Sequence, residues 1–175
     1  MPPQNKKESV LENKLMTLYK EGMIYFLKTY PNHFDEAIQL AISDKQPYSW
    51  RAAFLLCGCM EENDIRIRKY VKSIVESIKT KKDGHQRELL KILYKMEVNE
   101  KYEAQLFNIC MNLWEQIDKE PSVRIMALKF IINLVKKYPE LLAEIMVLTQ
   151  DQYLESLSPG VKRSANKIIN EAIRK

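Results

Sequence analysis

A basic residue returns along this chain at an almost constant interval. It appears at Lys14, Arg51, Arg87, Arg124 and Lys162, with successive separations of 37, 36, 37 and 38 residues. The flanking segments NKLMTLYK, WRAAFLLC, QRELLKIL, SVRIMALK and VKRSANKI all read as helix. A period of this length corresponds to one supersecondary unit. So small a unit cannot bury its apolar face alone, so successive copies must stack and share a continuous core.

The clearest copy is EPSVRIMALKFIINLVKKYPE, residues Glu120 to Glu140. Pro121 suits a first helical position, where its missing N–H has no intrahelical partner. Asp118 and Glu120 place negative charge at that end, Lys136 and Lys137 place positive charge at the other, and Pro139 ends the helix. Val123, Met126, Ala127, Phe130, Ile131, Leu134 and Tyr138 form one apolar face. Ile125, Leu128, Ile132 and Val135 make much of the other side apolar, leaving a narrow polar strip through Lys129, Asn133 and Lys136. A helix this apolar is covered on more than one side.

The remaining punctuation keeps the same register. Pro47, Pro121 and Pro159 each precede a basic slot, and Tyr30-Pro31 and Tyr138-Pro139 close two of the helices. Partner helices are expected at about 33–43, 63–80, 100–117 and 140–154. The third has an apolar face of Tyr102, Leu106, Cys110, Leu113, Trp114 and Ile117. With only 4 glycines and 7 prolines in 175 residues, the composition favours an all-α class. Each repeat is an amphipathic outer helix, a turn, and a more fully buried inner helix.

These residues resemble the HEAT family of helical repeats, whose motif places an aspartate in the turn and Val-Arg-x-x-Ala at the start of the second helix. Asp118 with Val123, Arg124 and Ala127 matches it best. Asp44 with Trp50 and Arg51, and Val161 with Lys162 and Ala165, match in part, and Gln86-Arg87 with Leu90 is poorer. The resemblance covers residues 9–175 and implies a right-handed α-α superhelix, a solenoid of helical hairpins with about nine helices. It also implies first helices on the convex side, second helices on the concave side, and a ladder involving Arg51, Arg87, Asp118, Arg124 and Lys162. Residues 1–8 are expected as a disordered or extended tail, followed by one domain of a half repeat and four helix pairs.

Signals for chemistry are sparse. Cys57-Gly58-Cys59 lacks the two-residue spacing usual for zinc, and neither His33 nor His85 belongs to a metal-spaced motif, so no metal and no cofactor are expected. There is no phosphate loop, nucleophile elbow or H-E-x-x-H pair. The resemblance also reaches the DNA alkylation repair glycosylases, which handle bases with tryptophan, aspartate and arginine on HEAT-like repeats. Trp50 and Trp114 both sit in apolar slots that also suit core packing, and no catalytic aspartate aligns. A non-enzyme is expected.

Charge is distributed unevenly around the net of +5. The inner stretches 119–138 and 158–175 each hold five basic residues and one acidic, whereas the outer stretches 99–118 and 139–156 each hold four acidic residues. The outer segment 63–82 departs from this pattern, with Arg66, Arg68, Lys69, Lys72 and Lys79 among seven basic residues against two acidic. It reads either as a solvated face or as a patch for an acidic partner or nucleic acid. No apolar run reaches the roughly 18 residues of a membrane span, no signal-peptide core is present, and cysteine usage fits a reducing compartment. A cytoplasmic protein is expected, without a small-molecule substrate.

Carrying the polar strip through the period gives Tyr19 and Met23, Leu56 and Met60, Ile92 and Met96, Lys129 and Asn133, then Lys167 and Glu171. Met23, Met60 and Met96 share one slot. They are expected either to line an apolar groove on the concave face or to pack between repeats. With Lys129, Lys136 and Lys167 at one end, such a groove suits a protein or peptide segment with acidic flanks. Nucleic acid is the other partner class.

Overall fold

The computed structural model describes residues 8–173. Among these residues there are twelve α-helices and no strand. They are α1 (Val10–Thr17), α2 (Lys20–Thr29), α3 (Phe34–Ile42), α4 (Tyr48–Cys59), α5 (Ile65–Arg68), α6 (Val71–Ile78), α7 (Asp83–Tyr94), α8 (Glu100–Glu115), α9 (Pro121–Lys137), α10 (Leu142–Leu148), α11 (Asp151–Leu154) and α12 (Pro159–Ile173). The nine expected helical stretches are all present. Three are interrupted, which gives the pairs α1/α2, α5/α6 and α10/α11. The expected tail lies almost wholly outside the described residues.

The helix ends follow local chemistry. Ser9 and Glu12 form a reciprocal capping box at α1, both bonds being 3.1 Å. Pro121 is the first residue of α9, whose last turn carries Lys136 and Lys137. The interruptions instead depend on tertiary contacts. Where α1 gives way to α2, the Arg51 guanidinium donates to the Leu15 and Leu18 carbonyls. Where α10 gives way to α11, Trp114 Nε1 donates to Leu148 O at 3.0 Å. In both cases a side chain from another helix satisfies carbonyls that the broken helix leaves open.

Helices α3/α4, α6/α7 and α8/α9 form hairpins, and their second helices stack in the order α4, α7, α9, α12, with α1 and α2 against α4. This inner stack is tighter than the contacts of α6 with α3 and α8. Burial corrects the register of the repeat. In α7 the buried residues are 85, 86, 88, 89, 90, 92 and 93, and in α9 they include 123, 124, 126, 127, 128, 130 and 131, each exactly 38 further on. Gln86, not Arg87, therefore stands where Arg124 stands. Gln86 Nε2 donates to Ile78 O at the end of α6 (2.9 Å), as Arg124 Nε donates to Trp114 O at the end of α8 (3.1 Å). Lys162 keeps the register, since buried Ala165 and Ile169 of α12 lie 38 residues after Ala127 and Ile131.

A ladder does join the repeats, but Asp118 and Arg124 do not form it. Asp118 is exposed and makes no ion pair among the described residues. Arg124 is fully buried and bonds Trp114 O, Ser156 Oγ (2.9 Å) and Tyr153 O (2.6 Å), with its guanidinium 4.8 Å from the Trp114 ring centroid. The inter-repeat ladder consists of lysines: Lys45 to Glu12, Lys81 to Asp44 and Lys119 to Asp83, each cation reaching a carboxylate of the preceding repeat. Arg124→Met would orphan the Trp114 and Tyr153 carbonyls at roughly 1–3 kcal/mol each, so a loss of about 3 kcal/mol is expected. Arg124→Lys should recover little, because an ammonium cannot reproduce the fork. Asp118→Ala should cost under about 1 kcal/mol. Urea unfolding of the three variants checks this, and equal losses from Asp118→Ala and Arg124→Met would contradict it.

Candidate functional site

The outward side of the inner stack carries two adjoining clefts that share Tyr94 and Lys129. The larger, about 540 Å3, runs between α4, α7 and α9 past Cys57, Glu62, Arg87, Lys91, Lys95 and Ile125. The smaller, about 340 Å3, lies between α9 and α12, bounded by Asn133, Lys136, Lys167 and Glu171. Tyr94 ends α7 at their junction, 42% exposed, with its ring edge-to-face against Phe130 at 5.6 Å. The corrected register explains the alignment of the polar strips, because Lys91 and Lys95 lie 38 residues before Lys129 and Asn133.

Six cations surround this groove, Arg87, Lys91, Lys95, Lys129, Lys136 and Lys167, against the carboxylates Glu62, Glu88 and Glu171. Glu88 of α7 is fully buried and holds Arg87 and Lys91 of the same helix, each at 2.8 Å. Lys95 Nζ donates to Cys57 O (3.2 Å) and Met60 O (3.5 Å), capping α4. Lys136 approaches Glu171 at 3.8 Å. Lys129 and Lys167 are exposed and carry no ion pair among the described residues. The groove therefore presents uncompensated positive charge around one aromatic ring.

The N-terminal part of the expected strip does not line a groove. Met23, Met60 and Met96 are 4%, 5% and 8% exposed, and Leu56 and Ile92 are fully buried. The methionines pack in the core, so the apolar methionine groove is corrected to packing. Tyr19 stands apart, exposed at the α1/α2 junction. Sequence reasoning missed Tyr94, Lys91 and Lys95 because it aligned the third unit on its cation. Aligning the apolar doublets Leu89-Leu90 and Ile92-Leu93 with Ala127-Leu128 and Phe130-Ile131 finds them.

Burial raises all three thiols, Cys59 to about 11, which leaves them poor nucleophiles at neutral pH. No cluster of metal-ligating side chains occurs among the described residues. Trp114 is buried beneath Arg124, and half-buried Trp50 stacks on Phe54 with centroids 6.0 Å apart, so neither offers an open platform for a base. No helix among the described residues is long and apolar enough to cross a membrane.

On the outer segment, most of the expected basic patch is internally paired. Arg66 bonds Asp64 at 2.6 Å and lies 3.7 Å over the Phe34 ring, Lys69 pairs with Asp35, and Lys72 pairs with Glu76. Arg68 and Lys79 are exposed. Three of the five cations thus have carboxylate partners, while Arg68 and Lys79 carry no ion pair among the described residues.

A family model described as HEAT repeat domain matches residues 8–172. No curated protein and no solved structure matches the chain significantly, so the likeness to the DNA alkylation repair glycosylases gains no support.

Buried Asp64 sets a pH dependence. Its carboxylate accepts from Arg66, from the Arg66 amide (3.0 Å) and from the Glu61 amide (3.2 Å), and the Arg66 side chain above all holds its pKa down at about 2. A depressed carboxyl stabilises the fold above its unfolded pKa, near 4, and that contribution is lost as the pH falls toward 2. Because Arg66 is half-exposed, about 1–2 kcal/mol is expected. Unfolding of the wild type and Asp64→Asn at pH 6 and pH 2.5 should show a gap that narrows at the lower pH. A gap independent of pH would contradict the assignment.

Proposed function

Because the chain belongs to the HEAT repeat family, whose repeats generally serve as protein-interaction scaffolds, we propose that it is a non-catalytic scaffold that holds a protein or peptide segment along its inner-helix face. The observation that supports this most is the cationic groove of α4, α7, α9 and α12 with Tyr94 at its centre. Its charge selects a segment with acidic residues. Its exposed ring gives an apolar or aromatic side chain of that segment a surface to cover. Lys129, Asn133, Lys136 and Lys167 form the basic end of the site. Nucleic acid remains the other class of polyanion, and the absence of an open tryptophan favours protein.

The test is a fluorescence-anisotropy titration with a labelled peptide carrying a central leucine between two tri-glutamate runs, beside a labelled DNA duplex of equal charge. Lys129→Glu with Lys167→Glu should weaken peptide binding by about tenfold at low salt, the difference shrinking at high ionic strength. Peptide binding unaffected by the double reversal would remove the groove from the function. Tighter binding of the duplex, lost on the same reversal, would transfer the site to nucleic acid.

A further inference from the structure

The opposite side of the molecule carries a second groove, unlike the first in its chemistry. It lies between α6 and α8, where the outer helices pack less closely than the inner ones, and has a volume of about 510 Å3. Its α8 wall is a row of four carboxamides, Gln105, Asn108, Asn112 and Gln116, following one helical stripe with steps of 3, 4 and 4 residues. No charged residue interrupts that row, although 29% of the chain is charged. Exposed Lys79, which follows the last residue of α6, stands on the facing wall.

The row is not explained by the fold. Asparagine is a weak helix former compared with the Glu, Lys or Gln that serve equally well on a solvated face, yet Asn108 stands in the middle of α8 and Asn112 in its last turn. Gln105 and Asn108 make no side-chain hydrogen bond among the described residues. Gln116 Nε2 donates to Asn112 Oδ1, leaving the Asn112 amino group and the Gln116 carbonyl open. Asn108, a choice that costs local stability and has no internal partner among the described residues, marks a surface used for something else.

We propose that this groove binds an extended polypeptide through its main chain, with an acidic side chain of that polypeptide against Lys79. A carboxamide presents one donor group and one acceptor, the complement of a peptide unit. Steps of four residues along α8 advance about 6 Å, close to the roughly 6.6 Å over which an extended chain repeats on one edge. The floor holds its own geometry: Gln86 is fixed by Ile78 O and by Lys119 Nζ at 3.2 Å, and Lys119 is fixed by Asp83 at 2.7 Å. Bonding to main chain makes the site tolerant of sequence. In this it differs from the inner groove, on which it does not depend.

Hexaglutamate, extended by its own charge, is the probe, read by the side-chain amide signals of the 15N-labelled protein. The resonances of Gln105, Asn108 and Asn112 should shift and saturate together at millimolar peptide. Asn108→Ala with Asn112→Ala should weaken that response by about tenfold while leaving the melting temperature equal or higher, since alanine is the better helix former. Lys79→Ala should weaken binding of hexaglutamate but not of hexaalanine. Shifts confined to the surroundings of Tyr94 and Lys129 would overturn the proposal while leaving the inner groove standing. A double variant that binds as the wild type does would overturn it as well.

Discussion

The stack depends on arginine used against backbone rather than against carboxylate. Arg124 is fully buried with no salt bridge among the described residues, an arrangement that desolvation penalises and that lowers its pKa from the ordinary arginine value. The charge is retained because three acceptors from two repeats and the face of Trp114 surround the guanidinium. Five fixed donors on one planar group can close the end of α8 and the end of α11 at once. Arg51 does the same at the interruption between α1 and α2. The basic slot thus binds repeats together at points where helices stop and carbonyls would otherwise be stranded.

Close packing of the inner helices and looser packing of the outer ones follow from the side chains available. Inner helices meet through small and branched residues such as Ala52, Ala53, Ala127, Leu89 and Ile131, all fully buried. The outer helices meet across lysine and carboxamide side chains, which require solvent. One side of the molecule is therefore a continuous core edged by cations, and the other is divided by a polar cleft. Two surfaces of different chemistry result from one packing asymmetry.

The period, the helix ends at Pro121 and Pro159, and the alternation of outer and inner helices were legible in the sequence because each rests on local chemistry or apolar spacing. The interruptions at Leu18–Tyr19 and Thr149–Gln150 were not, since no proline or glycine marks them and their carbonyls are satisfied by Arg51 and Trp114 from elsewhere. The third repeat was misaligned by one residue because a cation was taken as the anchor. Position within the repeat is set by burial, and burial admits Gln86 or Arg124 equally when either reaches a carbonyl. The same slip hid Tyr94 and moved Met96, by arithmetic, onto a surface it does not occupy, whereas Met23 and Met60 are buried without any slip of their own units. Part of the basic end of the groove was found because α9 is long enough for its polar strip to be read without reference to any other repeat.

Glu88 links the groove to the core. A carboxylate with no exposed surface is tolerated only with its charge and lone pairs answered, and Arg87 and Lys91 provide that answer from the groove side. Removing either cation would leave a buried charge half-compensated, at a cost that reaches several kcal/mol for such pairs. These two cations are held by the fold whatever the groove binds, so they form a fixed positive wall. Lys129 and Lys167 have no such obligation, carrying no ion pair among the described residues. The groove thus combines a wall of cations held by Glu88 with two cations that carry no ion pair among the described residues, and the selectivity we propose for acidic segments would rest on the second group.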